Sequence, residues 1–169
     1  MHRNLGKWEM HDLIEAVKWL RKKPFIDETK IGITGGSYGG YTTCMALTYG
    51  ADYFTHGWAS SSVTSWELYD TVYTERYMDR PIDNPEGYKF GSALTHADKY
   101  KGVLFMTHGT MDDNVHMQNT MQLIDKLIDL NKKFEFMPYP NQRHGFGGAK
   151  RVHSTQRSVE FWFKHFLNR

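Results

Sequence analysis

With a single cysteine, Cys44, the chain can close no internal disulfide, and its cysteine usage leaves the redox compartment open. No apolar run approaches the roughly 18 residues of a membrane helix, so no membrane segment is expected, and the amino terminus lacks a signal-peptide pattern. Neither sign of charge dominates: 21 Lys and Arg stand against 19 Asp and Glu. Without a basic run there is no electrostatic case for nucleic acid as a partner. The histidines show no metal-ligand spacing; His108 and His116 are eight positions apart and no H-E-x-x-H occurs. No metal and no cofactor is therefore expected. There are no internal repeats and no low-complexity segments. What remains is 169 residues, 40% apolar and 15% aromatic, enough to pack one domain.

Helical and strand patterns alternate along the chain. Asp12 with Glu15 predicts a capping box for a helix whose apolar stripe is Leu13, Ala16, Val17 and Leu20, stopped by Pro24. A strand around Ile31, Ile33 and Thr34 follows, then a helix from Tyr38 to Tyr49 and a short strand from Phe54 to Ser60. A helical aromatic segment spans Ser65 to Met78, and a polar loop holds Pro81, Asn84, Pro85 and Gly87. Gly102 to Thr107 is an unbroken apolar run of the buried parallel-strand kind. Met117 to Leu130 predicts a helix with Met117, Met121, Ile124 and Ile128 on one face and Leu123, Leu127 and Leu130 beside it. Phe134 to Tyr139 predicts a strand, and His153 to Leu167 a helix that buries Val159, Trp162, Phe163 and Phe166. Strands alternating with helices give an α/β fold with a parallel sheet of about four strands.

The segment Lys30 to Ala46 is the most informative. A β-branched run enters a cluster of glycines around Ser37 and leaves through helix formers. Gly35-x-Ser37-x-Gly39 fits the nucleophile elbow, a sharp strand-to-helix turn that pushes a serine hydroxyl out above a sheet. Glycines suit the flanks because a Cβ there would strike the adjoining strand or helix. A plain turn of small residues stays open as an alternative. A phosphate-binding loop would need a Gly-Lys-Ser/Thr ending, which is absent.

An elbow in an α/β fold demands an acid and then a histidine, each after a later strand. The strand ending at Thr107 is followed by H-G-T-M-D-D-N-V, which puts Asp112 and Asp113 on its exit loop. The strand ending at Tyr139 is followed by N-Q-R-H-G-F, which puts His144 on the next. Ligands gather at the carboxyl ends of strands in open α/β sheets, so Ser37, an aspartate and His144 converge on one edge. An Asp pair in a loop or a loop histidine is unremarkable alone; their joint order carries the reading. His108 directly follows its strand and His116 opens a helix, while His2, His11, His56, His96, His153 and His165 lie on helices, strand ends or loops without the right topology. Val63, Trp66, Tyr69 and Tyr73 are spaced by three, three and four, which aligns them on one helical face. Taken alone, such a face packs inward as core.

The segments G-G-S-Y-G-G-Y, S-W-E-L-Y-D-T-V-Y-T-E-R-Y-M, H-G-T-M-D-D-N-V-H and H-G-F resemble the catalytic domain of the prolyl oligopeptidase family of serine peptidases. Within it they point to the branch of dipeptidyl-peptidase IV and its bacterial relatives, including prolyl tripeptidyl peptidases. The likeness runs from about Trp8 to Phe166. It implies the carboxyl-terminal half of an α/β-hydrolase fold, with Ser37 as nucleophile, Asp112 rather than Asp113 as the acid, His144 as the base, and the Tyr38 backbone N–H as an oxyanion donor. It further implies that Tyr38, Val63, Trp66, Tyr69, Tyr73 and Val115 line an apolar pocket for proline, and that Asn114 binds a substrate carbonyl. Glu67, Asp70, Glu75 and Arg76 are left to local salt bridges.

The implied activity is release of dipeptides or tripeptides after proline, with an acyl-peptide hydrolase or esterase as the alternative on the same scaffold. The resemblance also implies upstream strands, a β-propeller and an upstream tyrosine of the oxyanion hole, none of which lies in this sequence. The chain is thus expected to be a partial peptidase domain, and an inactive self-associating fragment is the third reading. A homo-oligomer built through the last strand and helix, and a periplasmic or cell-surface location, are further expectations from the resemblance alone.

Overall fold

The computed structural model describes residues 2–167. Four parallel strands, β1 (Gly32–Gly36), β2 (His56–Ser60), β3 (Val103–Gly109) and β4 (Glu135–Tyr139), form one sheet in the order β1-β2-β3-β4. Six α-helices accompany them: α1 (Lys7–Arg21), α2 (Tyr38–Thr48), α3 (Thr71–Met78), α4 (Pro85–Phe90), α5 (Gln118–Asp129) and α6 (Gly148–Trp162). Because side chains alternate across a strand, β3 sends Leu104 and Met106 into the main core while Phe105 faces the other way. The main core takes Met10 and Val17 from α1, Cys44 to Leu47 from α2, and Leu123, Ile124 and Leu127 from α5. On the opposite face Phe105 and Trp58 pack against Phe161 of α6.

Several local expectations are corrected. Helix α1 starts six residues earlier than the Asp12–Glu15 pair suggested. The Glu9 carboxylate accepts the Gly6 N–H at 3.1 Å, while Asp12 pairs with His11 and Glu15 with Lys18 on the exposed side. Ala16 is exposed and Met10 is buried in its place. In α5 the inward face is Asn119, Thr120, Leu123, Ile124 and Leu127, whereas Met121 and Ile128 are exposed. The two polar residues turn inward because their side chains hold other segments: Asn119 accepts the Thr64 N–H and donates to the Leu68 carbonyl, and the Thr120 hydroxyl meets Nδ1 of His108. Helix α6 begins at Gly148, and its buried residue is Phe161; Val159 and Phe163 are exposed. The polar loop after Met78 contains α4, capped by the Asn84 side chain on the Gly87 N–H.

The aromatic segment is not one helix. A 3₁₀ turn, Trp66–Leu68, gives way to extended backbone at Tyr69 and Asp70, and α3 starts afresh with Asp70 accepting the Tyr73 N–H at 2.8 Å. Among the described residues Glu67, Asp70, Glu75 and Arg76 make no salt bridge; Asp70 is a helix cap and Arg76 lies over the Tyr77 ring.

Candidate active site

Strand β1 ends at Gly36 and α2 begins at Tyr38, so the whole reversal falls on Ser37. Its φ of 57° and ψ of −119° lie in a region that side-chain-bearing residues rarely occupy. The turn is held there by the Ser37 N–H, which donates to the Ser60 carbonyl at 2.9 Å. A Cβ on Gly35 would come within 2.4 Å of the Gly39 backbone, and one on Gly40 within 2.7 Å of the Ser60 carbonyl. Gly39 is different: a Cβ there would meet nothing, so the clash expected of both flanking glycines belongs to Gly35 and Gly40. Tyr38 is the first residue of α2, where the backbone N–H has no partner within the helix.

Asp112 is buried on the loop after β3 and is closely held. Its Oδ1 accepts the N–H groups of Asn114 at 3.1 Å and Val115 at 3.0 Å, and its Oδ2 lies 2.9 Å from Nδ1 of His144. Asp113 instead faces solvent, paired with Arg143. The His144 loop is tied down at several points. The Met111 N–H donates to the Gln142 carbonyl at 2.9 Å, the Asn141 N–H to the Thr110 hydroxyl, and the Ser61 hydroxyl to the His144 carbonyl. This chain crosses so near Gly109 that a Cβ there would sit 2.4 Å from the carbonyls of Gln142 and Arg143. Glycine is required by this crossing. Ser37, Asp112 and His144 therefore stand at the carboxyl ends of β1, β3 and β4. Among the described residues the His144 ring is hydrogen-bonded to Asp112 and not to the Ser37 hydroxyl.

Beside Ser37 lies a cavity of about 80 Å³ lined by Ser37, Tyr38, Val63, Trp66, Tyr69 and Tyr73. Pockets for whole small molecules measure ~300–1,000 Å³, so this one suits a single compact side chain. Its walls are aromatic: Trp66 stacks on Tyr73 at 19° and meets Tyr38 at 5.6 Å between centroids. The break between the 3₁₀ turn and α3 replaces the single helical face expected for these residues, yet brings the same side chains together. Burial, with a hydrogen bond to Glu9, raises the Tyr38 phenol pKa. Tyr69 donates its hydroxyl to Oδ1 of Asn114 at 2.7 Å, leaving the Asn114 amide N–H groups available. Val115 is wholly buried and outside the cavity lining; its main chain serves the site, the N–H to Asp112 and the carbonyl to His108.

Two residues here were missed in the sequence. Glu9 accepts from the Tyr38 hydroxyl, although its spacing from Gly6 signals only a helix cap. His108 is buried beside Asp112, although the sequence shows only that it directly follows its strand.

A larger depression of about 620 Å³ lies over Phe105, Glu135, Arg157 and Phe161, on the α6 side of the sheet and away from Ser37. Among the described residues no helix is long and apolar enough to cross a membrane.

The chain is 38% identical over 170 residues to dipeptidyl peptidase 4 of Bos taurus, covering 99% of this chain and 22% of that protein. It is 42% identical over 164 residues to prolyl endopeptidase FAP of Homo sapiens, covering 95% of this chain and 22% of that protein. The crystal structure of dipeptidyl peptidase 4 from Porphyromonas gingivalis superposes with a TM-score of 0.94 at 41% identity, over 98% of this chain and 24% of that one. The chain thus spans about a fifth to a quarter of the length of these relatives. Its sheet, with four parallel strands and flanking helices, is of the α/β-hydrolase kind. The prolyl oligopeptidase family model matches residues 1–169, and the chain belongs to that family.

Proposed function

We propose that this chain carries the triad and the proline pocket of a serine exopeptidase that releases dipeptides or tripeptides after proline. The observation that supports it best is the 2.9 Å bond from His144 to a buried Asp112, set on strand ends neighbouring a strained Ser37 and an aromatic cavity. His144 takes the Ser37 proton as the hydroxyl attacks the scissile carbonyl, then gives it to the leaving amine. Asp112 fixes the imidazole tautomer and stabilises the imidazolium. The acyl-enzyme is hydrolysed by water along the reverse path. The free N–H of Tyr38 donates to the oxyanion. A proline ring has no N–H to satisfy, so an aromatic slot without polar partners selects it, and the Asn114 amide is placed for a substrate carbonyl.

Relatives named dipeptidyl peptidase 4 support the exopeptidase reading over an esterase. The test is covalent labelling by a fluorophosphonate, with the adduct mapped to Ser37 and absent from S37A, followed by cleavage of Xaa-Pro-anilides against short acyl esters in the full-length protein. Folded protein that takes no label would sink the triad. Labelling without preference for proline would leave the triad and sink the exopeptidase.

A further inference from the structure

His108 is fully buried, and its ring is bonded at both nitrogens. Nε2 lies 2.8 Å from the Val115 carbonyl and Nδ1 2.8 Å from the Thr120 hydroxyl. A carbonyl can only accept, so Nε2 carries the proton and Nδ1 accepts from Thr120. The same Nε2 is 3.3 Å from Oδ2 of Asp112, the oxygen that His144 uses. We propose that His108 is a positioning residue of this site: a neutral ring whose Nε2–H clamps the Asp112 loop through Val115 and lays the positive end of its dipole against Asp112 Oδ2. This rests on the triad reading above.

Burial lowers the His108 pKa, which favours the neutral ring. A neutral donor suits the task. A second cation beside Asp112 would compete with the imidazolium that forms on His144 during turnover, whereas an N–H dipole fixes the carboxylate and withdraws only part of its charge. The titratable groups on the surrounding loops are Asp112, His144, His116 and the Arg143–Asp113 pair, and Tyr69 faces Asp112 through Asn114. No other cation touches the Asp112 carboxylate among the described residues.

The first test needs no variant. Imidazole ¹⁵N NMR of the full-length protein is expected to show His108 as the Nε2–H tautomer from pH 6 to 8. The Nδ1–H tautomer, or an imidazolium at pH 7, overturns the inference. The second measures the rate of fluorophosphonate labelling against pH in H108L and H108Q. H108L removes the donor and exposes Asp112 Oδ2 to His144 alone. The acid limb is then expected to move up by about half a pH unit or more, and the maximal rate to fall about tenfold through lost positioning. H108Q keeps a side-chain N–H and is expected to return the limb toward wild type; a merely structural role would leave the limb unmoved in both. If H108L does not fold, the wild-type tautomer decides. Wild-type protein that is folded but unlabelled defeats the triad reading. Labelling with an unshifted limb in H108L defeats only this inference.

Discussion

At the scale of single residues, Glu9 shows how one side chain can serve two structures. It caps α1 through the Gly6 N–H and also receives the hydroxyl of Tyr38, which forms a wall of the cavity. Because burial raises the Tyr38 pKa, the phenol remains the donor throughout the working pH range. Replacing the charged acceptor in E9Q is expected to raise KM for a Xaa-Pro-anilide about three- to tenfold, with a smaller change in kcat, since charge-assisted bonds contribute about 1.5–3 kcal/mol and only part of that is felt by the pocket. Steady-state kinetics decide it: an unchanged KM would remove Glu9 from the site. Ser37, the pair Asp112 and Asp113, and His144 stood out as candidates in the sequence because each follows a strand and each residue type has a known task there, while the choice of Asp112 within the pair rested on the family resemblance. Glu9 and His108 did not stand out. Their roles come from contacts with Tyr38 and Asp112 that depend on where α1 and β3 lie, and neither spacing nor residue type announces that.

At the scale of elements, the strands were legible and the helical faces only partly so. The runs that predicted β1 to β4 reappear within one or two residues of their expected ends. Helix α5 was misread because burial was assigned to apolar residues alone. In the folded chain Asn119 and Thr120 take inward positions to bond Thr64 and His108, displacing Met121 to the surface. The aromatic segment was misread because a 3.6 period cannot reveal a break that Asp70 makes by capping a new helix. That cap can be tested. D70A removes the acceptor for the Tyr73 N–H and is expected to cost about 1 kcal/mol of stability, read as a lower urea midpoint with an unchanged slope. Tyr73 is the first cavity residue after the cap, so weaker binding of proline substrates should accompany the loss.

At the scale of the whole molecule, histidine burial makes stability depend on pH. Burial lowers the pKa of His56, His96, His108 and His165 below the ordinary value. The unfolded chain therefore takes up protons near pH 6.5 that the folded chain resists. This contribution is fully present above that range and is lost as the pH falls through the folded-state values. Urea midpoints are expected to drop between pH 7.5 and pH 5.5; a midpoint that rises over that interval would contradict the assignment.

The sequential strand order also means that the histidine travels on the last strand. Among the described residues β4 has a single neighbour, β3, and most of its residues are only half-buried, whereas β2 and β3 are flanked on both sides. Edge strands with few buried contacts open at lower free energy than the body of a sheet. Among the described residues β1 is the other edge, with β2 as its one neighbour and with exposed and half-buried residues in alternation. An excursion of β4 would carry off the base and one of β1 the strand that leads into the elbow, while β2 and β3 stay protected from hydrogen exchange. The site can thus be switched off by fraying at either margin, and the lifetime of its active geometry is set there rather than by global unfolding.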